Sequence, residues 1–166
     1  MIARTLTKLD AQKCYELRLE ALFTNPDAFI TTYEQEKSRS NPIQTYEERL
    51  ESELTRTFGV FEGEILTGVV TLVKETHPKF AHKAMIVGMY VSPQQRMHGA
   101  GAKLMETAMH YARTQNIEII QLSVVSENAA AKALYKRMGF EEYGLEKKAI
   151  KLKERYLDEI HMYKFL

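Results

Sequence analysis

The apolar positions along the chain follow two periods, one helical and one strand-like. After Asp10 the apolar residues recur at helical spacing, and the helix they predict ends at the turn signal Asn25-Pro26-Asp27. The members of that apolar stripe are Cys14, Leu17, Ala21 and Leu22. Between residues 117 and 125 apolar and polar residues alternate, as they do in a strand with one buried face. The chain therefore combines amphipathic helices with strands.

The same reasoning along the whole chain predicts elements in the order β-α-α-β-β-β-α-β-α-β-β. Strands are predicted over 2–7, 57–61, 65–74, 84–91, 117–125, 140–149 and 155–165. Helices are predicted from residue 10, from Pro42 behind its cap Asn41, over 99–115 and over 128–138. Because both hairpins and crossovers occur, we expect a mixed sheet with helices packed on its faces, in the α/β or α+β class.

Composition narrows the class of protein further. A length of 166 residues with 45% hydrophobic and 27% charged residues indicates one globular domain over 1–166. With 23 Lys+Arg against 22 Asp+Glu, the charge gives no electrostatic case for a nucleic-acid partner. The single cysteine, Cys14, excludes an internal disulfide, and the five histidines lack ligand spacing, so no metal is expected. Neither a membrane-length apolar run nor a secretory signal is visible, so we expect a cytoplasmic protein without a membrane partner.

The most informative stretch lies where the predicted strand 84–91 gives way to a helix that begins at Gly99 and Gly101. The first turn of a helix leaves backbone N–H groups unpaired, and glycines let a phosphate approach them, so the stretch favours a pyrophosphate cradle. Ala102-Lys103 follows Gly101, so the Gly-Lys-Ser/Thr of a Walker A loop is missing, and Leu104 replaces the third glycine of a dinucleotide fingerprint. A tight strand-to-helix turn without a ligand is the alternative interpretation.

A second motif opens the helix predicted over 128–138. Asn128 is a natural N-cap, and Tyr135 lies seven residues later, two turns along the same helix face. Three alanines, residues 129–131, permit close approach of another group. Taken alone, Asn128 can be a plain cap and Tyr135 an aromatic residue that packs the helix on the sheet.

Together the two motifs resemble those of the GNAT (GCN5-related N-acetyltransferase) superfamily. Its acetyl-CoA loop, written Arg/Gln-x-x-Gly-x-Gly/Ala, is matched by Val91-x-Pro93-x-x-Arg96-x-x-Gly99-x-Gly101. Its following motif is matched by Asn128-x-x-Ala131-x-x-x-Tyr135-x-x-x-Gly139-Phe140. The resemblance extends to nearly the whole chain, through residues 17–29 and 156–162.

The resemblance implies a fold, a cosubstrate and a set of site residues. The fold would be a mostly antiparallel sheet of six or seven strands with about four helices, in which a splayed strand pair holds acetyl-CoA. The resemblance assigns the pyrophosphate to the backbone N–H groups of Arg96, Met97, His98, Gly99, Ala100, Gly101 and Ala102. It assigns the pantetheine and thioester to Met89, Tyr90 and Val91, the cofactor arm to Asn128, and the acceptor pocket to Phe29 and Tyr33. Tyr135 would donate a proton to the departing thiolate, which suits a tyrosine pKa near 10 beside a thiol pKa near 8.5.

The resemblance leaves the general base and the acceptor open. Some family members carry a glutamate on the strand before the glycine loop, but residues 83–91 contain no carboxylate. Glu75, His82 and Tyr33 are the remaining candidates for a base. The sequence thus predicts an acetyl-CoA-dependent N-acetyltransferase that acts on a primary amine of a small molecule, peptide or protein, with a homodimer possible. The alternatives are a non-catalytic acyl-CoA-binding regulatory module of the same fold and, more remotely, a nucleotide-binding protein.

Overall fold

The computed structural model describes residues 1–166 and contains one seven-stranded sheet with five α-helices. The strands are β1 (Ile2–Thr5), β2 (Thr55–Glu62), β3 (Ile65–Lys74), β4 (Lys83–Val91), β5 (Ile119–Val125), β6 (Glu141–Leu152) and β7 (Arg155–Phe165). The helices are α1 (Ala11–Thr24), α2 (Tyr33–Lys37), α3 (Pro42–Glu51), α4 (Ala100–Thr114) and α5 (Ala129–Arg137). No helix is both long enough and apolar enough to span a membrane.

Every predicted element is present, and most bounds differ from the prediction by one or two residues. The strand predicted over 2–7 ends at Thr5, because Thr7 already caps a short 3-10 turn. The prediction was incomplete at α2, a five-residue helix whose capping box joins Thr32 and Gln35. That pair is a helix-start signal that could be read from the sequence, but one turn of helix carries no apolar periodicity.

The sheet has the order β1-β2-β3-β4-β5-β7-β6, and only the central pair β4–β5 is parallel. The other neighbouring strands pair antiparallel. Helix α4 makes the crossover that a parallel pair requires. The predicted mixed, mostly antiparallel sheet is therefore confirmed, with five helices instead of about four.

Two hydrophobic clusters fill the two faces of the sheet. The larger lies under α4 and α5 and contains inward residues of β5, namely Ile120, Leu122 and Val124. The smaller lies under α1 and α3 and covers only the β1–β4 half of the other face, ending at Tyr90. On that second face no helix packs on the half formed by β5, β7 and β6, and most outward side chains there are at least partly exposed, although Leu157 is buried.

The central parallel pair separates part-way along its length. Pairing between β4 and β5 covers Lys83–Met85 against Ile119–Gln121 and then stops. Beyond that point β4 continues to Val91 against β3 alone, with a register shift opposite Val69–Thr71. Gly88 adopts φ +62° in this bulge, a conformation that glycine reaches without a Cβ clash. The bulge bends β4 away from β5 and leaves the facing edge of β4 free.

The C-terminus of α5 closes in a Schellman motif. The Phe140 N–H donates to the Tyr135 carbonyl at 3.0 Å, and the Gly139 N–H donates to the Lys136 carbonyl at 3.0 Å. Gly139 sits at φ +83°, and the ring of Phe140 packs on that of Tyr135 with centroids 6.0 Å apart. The predicted termination at Gly139 is confirmed, and the motif also fixes the ring of Tyr135.

We expect Gly139→Ala to lower the free energy of unfolding by about 1–2 kcal/mol, the cost of a Cβ in the left-handed region. The added Cβ would also lie 2.5 Å from the movable Lys164 Nζ. Gly144→Ala is the matched control, because Gly144 avoids positive φ and its Cβ would meet His161 at an ordinary 3.7 Å. Urea unfolding of both variants checks the prediction, and equal losses would contradict it.

Candidate active site

A run of unpaired backbone amides marks the start of α4. None of the N–H groups from Met97 to Ala102 donates to another protein atom, whereas the Lys103 N–H bonds the Gly99 carbonyl at 2.9 Å. Met97 and Gly99 both have positive φ, at 65° and 83°. These six consecutive donors, with the helix dipole behind them, are able to bind an anion, and we call them the anion cradle. The Arg96 N–H differs, because it donates to the Pro93 carbonyl at 3.3 Å.

The two glycines of the loop serve different purposes. A Cβ on Gly99 would meet nothing within 4 Å, so its outer side is open and its left-handed φ accounts for glycine. A Cβ on Gly101 would lie 3.0 Å from Leu134 of α5 and 3.3 Å from Met89 of β4. Gly101 therefore lets the first turn of α4 pack closely against α5 and the splayed end of β4.

The side chain of Arg96 folds back on the protein. Its Nε donates to the Val91 carbonyl at 2.9 Å, and its guanidinium donates to Asn25 Oδ1 at 2.7 Å. The guanidinium carbon also lies 5.7 Å from the centre of the Tyr90 ring. Arg96 thus ties the loop to the end of β4 and to the C-terminus of α1.

Beyond the bulge, the side chains of β4 alternate between the two faces of the sheet. Met89 and Val91 pack on the larger cluster, whereas Tyr90 belongs to the smaller one. The Tyr90 hydroxyl bonds Glu20 at 2.8 Å and Thr24 at 2.9 Å, and burial raises its pKa. Side chains thus hold the end of β4 while its backbone edge toward β5 stays free.

Tyr135 lies in the larger cluster with its ring buried. Its hydroxyl makes no hydrogen bond within the protein. Because every fully buried side-chain polar atom in the structure has a hydrogen-bond partner, the Tyr135 hydroxyl must be accessible to solvent. Desolvation raises the pKa of Tyr135 to about 12. The group therefore stays protonated throughout the physiological range and is able to donate a proton.

Asn128 caps α5 as predicted: its Oδ1 accepts from the Ala131 N–H at 3.1 Å. That bond uses the oxygen and leaves the side-chain NH₂ of Asn128 free. Beside it opens a groove of about 290 Å³ between the α1–α2 connection (Thr24–Ala28) and the end of β5. Arg155 spans this region through ion pairs with Asp27 and Glu127.

The two residues predicted for the acceptor pocket, Phe29 and Tyr33, lie in different places. Phe29 stacks edge-on against Tyr90 at 6.4 Å and under the Arg18 guanidinium at 4.5 Å, next to the end of β4. Tyr33 begins α2 and packs on Phe23 at 6.0 Å, without contact to Tyr90. Only Phe29 is thus brought beside the predicted cofactor strand.

The candidate bases Glu75 and His82 lie at the end of β4 that is far from the glycine loop. Both precede β4, where that strand is still paired with β5, and the His82 carbonyl accepts the N–H groups of Glu118 and Ile119. At about 3.3 Å per residue, the length of β4 places them roughly 25 Å from Val91. Their position supports neither as the base. Cys14 is buried as predicted, and no three metal-capable side chains cluster.

A family model described as the acetyltransferase (GNAT) family matches residues 11–140. The chain belongs to the GNAT acetyltransferase family. It is 28% identical over 144 residues to the N-alpha-acetyltransferase RimI of Mycobacterium tuberculosis, which covers 86% of this chain and 80% of that relative. Members of the family are acyltransferases, and the predicted N-acetyltransferase class is confirmed.

Solved structures share the fold at low sequence identity. YncA, a putative acetyltransferase from Salmonella typhimurium solved with acetyl-CoA, superposes with a TM-score of 0.84 at 21% identity, over 100% of this chain and 94% of that one. The ribosomal-protein-alanine N-acetyltransferase from Brucella melitensis superposes with a TM-score of 0.81 at 22% identity, over 100% of both chains. These likenesses confirm the predicted GNAT fold.

Sequence reasoning missed two contributors to the site. Gly88, inside the apolar run of β4, carried a readable signal, because an isolated glycine in a strand often marks a bulge. Asn25 accepts a hydrogen bond from Arg96, 71 residues away along the chain, and no sequence signal indicates this contact.

We expect Gly99→Glu to weaken coenzyme A binding at least about 100-fold, because two charges 4 Å apart repel by about 4 kcal/mol near a protein surface. Gly63→Glu is the matched control, since Gly63 also has positive φ (56°) and open space for a Cβ. Titration calorimetry with coenzyme A measures both. Equal affinity in the two variants would show that the cradle lies elsewhere.

Proposed function

We propose that this enzyme transfers the acetyl group of acetyl-CoA directly to a primary amine. The observation that carries the proposal is the junction of six free amides, Met97–Ala102, with the free edge of β4. The amides suit a pyrophosphate, and the strand edge suits the amide groups of pantetheine. Acetyl-CoA supplies the activated acyl carbon as a thioester.

The residues around the splay would bind and orient that group. The backbone of Met89, Tyr90 and Val91 pairs with the arm, and an N–H near Val91 polarises the thioester carbonyl in the manner of an oxyanion hole. The free NH₂ of Asn128 contacts the arm from the start of α5. The Schellman contact with Phe140 holds the Tyr135 ring in one orientation.

Tyr135 donates the proton that the departing thiolate needs. Its raised pKa, about 12, keeps the hydroxyl protonated, and its hydroxyl has no competing partner within the protein. A donor that is neutral in the ground state can hydrogen-bond the developing thiolate and pass its proton to sulfur, and solvent then reprotonates the tyrosinate.

Two considerations favour an α-amine as acceptor, and a peptide N-terminus is therefore the first acceptor to test. The relative RimI is named for N-alpha acetylation. In addition, β4 carries no carboxylate, and an α-amine with a pKa of about 7.7–8.0 needs less help to become neutral than a lysine amine. Phe29 and the groove beside Asn128 would receive the acceptor.

The test is thiol release from acetyl-CoA with a panel of peptide N-termini, amino acids, polyamines and lysine peptides, beside calorimetry with coenzyme A. Binding together with amine-dependent thiol release supports the proposal. Binding without release on any amine would indicate the non-catalytic acyl-CoA module. Tight ATP or NAD binding without coenzyme A binding would indicate a nucleotide-binding protein.

We expect Tyr135→Phe to lower kcat on the order of 100-fold while coenzyme A affinity stays within about twofold, because only the proton donor is removed. Tyr111→Phe is the control, since Tyr111 lies on α4 rather than α5 and its hydroxyl contacts Arg56 at 3.3 Å. Because the Tyr135 pKa lies at about 12, the wild-type rate should not fall between pH 8 and pH 10 through loss of this proton. Unchanged turnover in Tyr135→Phe would remove it as the acid.

A further inference from the structure

Three side chains form a hydrogen-bonded chain on the helix-free face of the sheet. Ser123 Oγ lies 2.8 Å from His161 Nδ1, and His161 Nε2 lies 3.1 Å from Glu146 Oε2. Ser123 and His161 are directly paired across β5 and β7, and Gly144 of β6 lies beside the imidazole. Three neighbouring strands thus build the cluster, which the steps above do not use.

The chemistry of the three groups fixes the direction of the hydrogen bonds. A carboxylate only accepts, so Glu146 requires the imidazole proton on Nε2. Nδ1 of the neutral ring then carries a lone pair, and the Ser123 hydroxyl must donate to it. This is the order of a hydroxyl, a base and an orienting carboxylate.

The cluster lies at the splay. The last β5 residue paired with β4 is Gln121, and Ser123 follows two residues later, about 7 Å along the strand. Leu122 and Val124 point into the larger cluster with Tyr135, so Ser123 projects from the opposite face of the sheet. The proton donor and the Ser123 hydroxyl therefore flank the gap between β4 and β5 from its two sides.

We infer that Ser123, His161 and Glu146 form a proton relay that deprotonates the acceptor amine, an inference that rests on the proposed acetyl transfer. The acceptor would approach from the helix-free face, where Ser123 is in reach of its nitrogen. Ser123 is the group that contacts the acceptor, His161 takes up the proton, and Glu146 is a positioning residue. The relay supplies the base that β4 lacks.

The reaction balances in protons and electrons without a further reactant. The amine nitrogen forms a bond to the acetyl carbon as the carbon–sulfur bond breaks. Before the attack, one proton of the ammonium form passes to Ser123 Oγ while the Ser123 proton passes to His161 Nδ1. The second proton, which nitrogen loses as the amide forms, passes to solvent. Tyr135 protonates the thiolate from the other side, and the two residues exchange their protons with solvent before the next turnover.

The groups around the imidazole suit a transient positive charge. Glu146 lies on one side, and Glu159 stands opposite Glu146 in the β6–β7 register. The Tyr143 ring packs 6.0 Å from the imidazole and is neutral. The carboxylates stabilise the imidazolium that the relay produces.

The first test needs no acceptor and no cofactor. ¹⁵N NMR of histidine-labelled protein at about pH 9, where an ordinary imidazole is neutral, reports which nitrogen of His161 carries the proton. The His161→Gln spectrum identifies the signal. We expect the proton on Nε2, and Glu146→Gln should weaken that preference. A proton on Nδ1 would overturn the relay, because Ser123 could then not donate.

The second test is the pH dependence of acetyl transfer to the best amine of the panel. For an α-amine, we expect Ser123→Ala and His161→Gln each to lower kcat/KM about 5–10-fold near pH 7, the excess of the ammonium form over the neutral amine at that pH, with coenzyme A affinity unchanged. The deficit should shrink as the pH approaches the pKa of the amine, because a neutral amine needs no relay. A merely structural role would give a deficit independent of pH.

Tyr143→Phe is the matched control, since its ring adjoins His161 while its hydroxyl bonds only Gln121, at 3.2 Å. It should retain the wild-type rate and pH profile. Wild-type rates in both Ser123→Ala and His161→Gln would overturn the inference and leave the proposed transfer intact. Absence of transfer in the wild type would instead refute the proposed function, and the NMR result would still decide the state of the cluster.

Discussion

The site depends on one interruption of backbone pairing, the separation of β4 from β5 beyond Met85 and Gln121. Unpaired strand edges inside a sheet are costly, so a fold keeps one only where other contacts hold the strands apart. Here the bulge at Gly88 bends β4, and the hydroxyl of Tyr90 anchors its end to α1. The gap that results has a polar backbone edge and an apolar floor, and both suit the pantetheine arm of the proposed cosubstrate.

The start of α4 and the end of α5 border the gap, and each helix terminus is determined by residues beside it in the sequence. The left-handed Gly99 starts α4 with its amides free, and Gly101 lets that turn pack on Leu134 of α5. At the other end of α5, the Schellman motif at Gly139 locks Tyr135 against Phe140. The helix that carries the anion cradle and the helix that carries the tyrosine thus pack closely where Gly101 meets Leu134.

The parts of the site that could be predicted from the sequence are those determined by residues close to them along the chain. The caps at Asn128 and Gly99 and the terminator at Gly139 lie within a few residues of what they control, and the family motifs run through them. The Ser123–His161 pair instead needs the β5–β7 register, and its link to Glu146 needs the shift in β6 between Glu142 and Gly144. A register is set by long-range packing, so no short segment of sequence carries it.

The division of the sheet into two faces explains how a strand without a carboxylate can serve acetyl transfer. Burial on the α5 face suits Tyr135, because desolvation raises its pKa and keeps its proton in place. The same burial would disfavour an imidazolium, since a desolvated charge is expensive unless it is paired. His161 lies on the half of the second face that carries no helix, where it is part-exposed and stands beside Glu146. The proposed general acid and general base need different environments, and the β5–β7–β6 half of the sheet, which carries a helix on one face only, provides both at one gap.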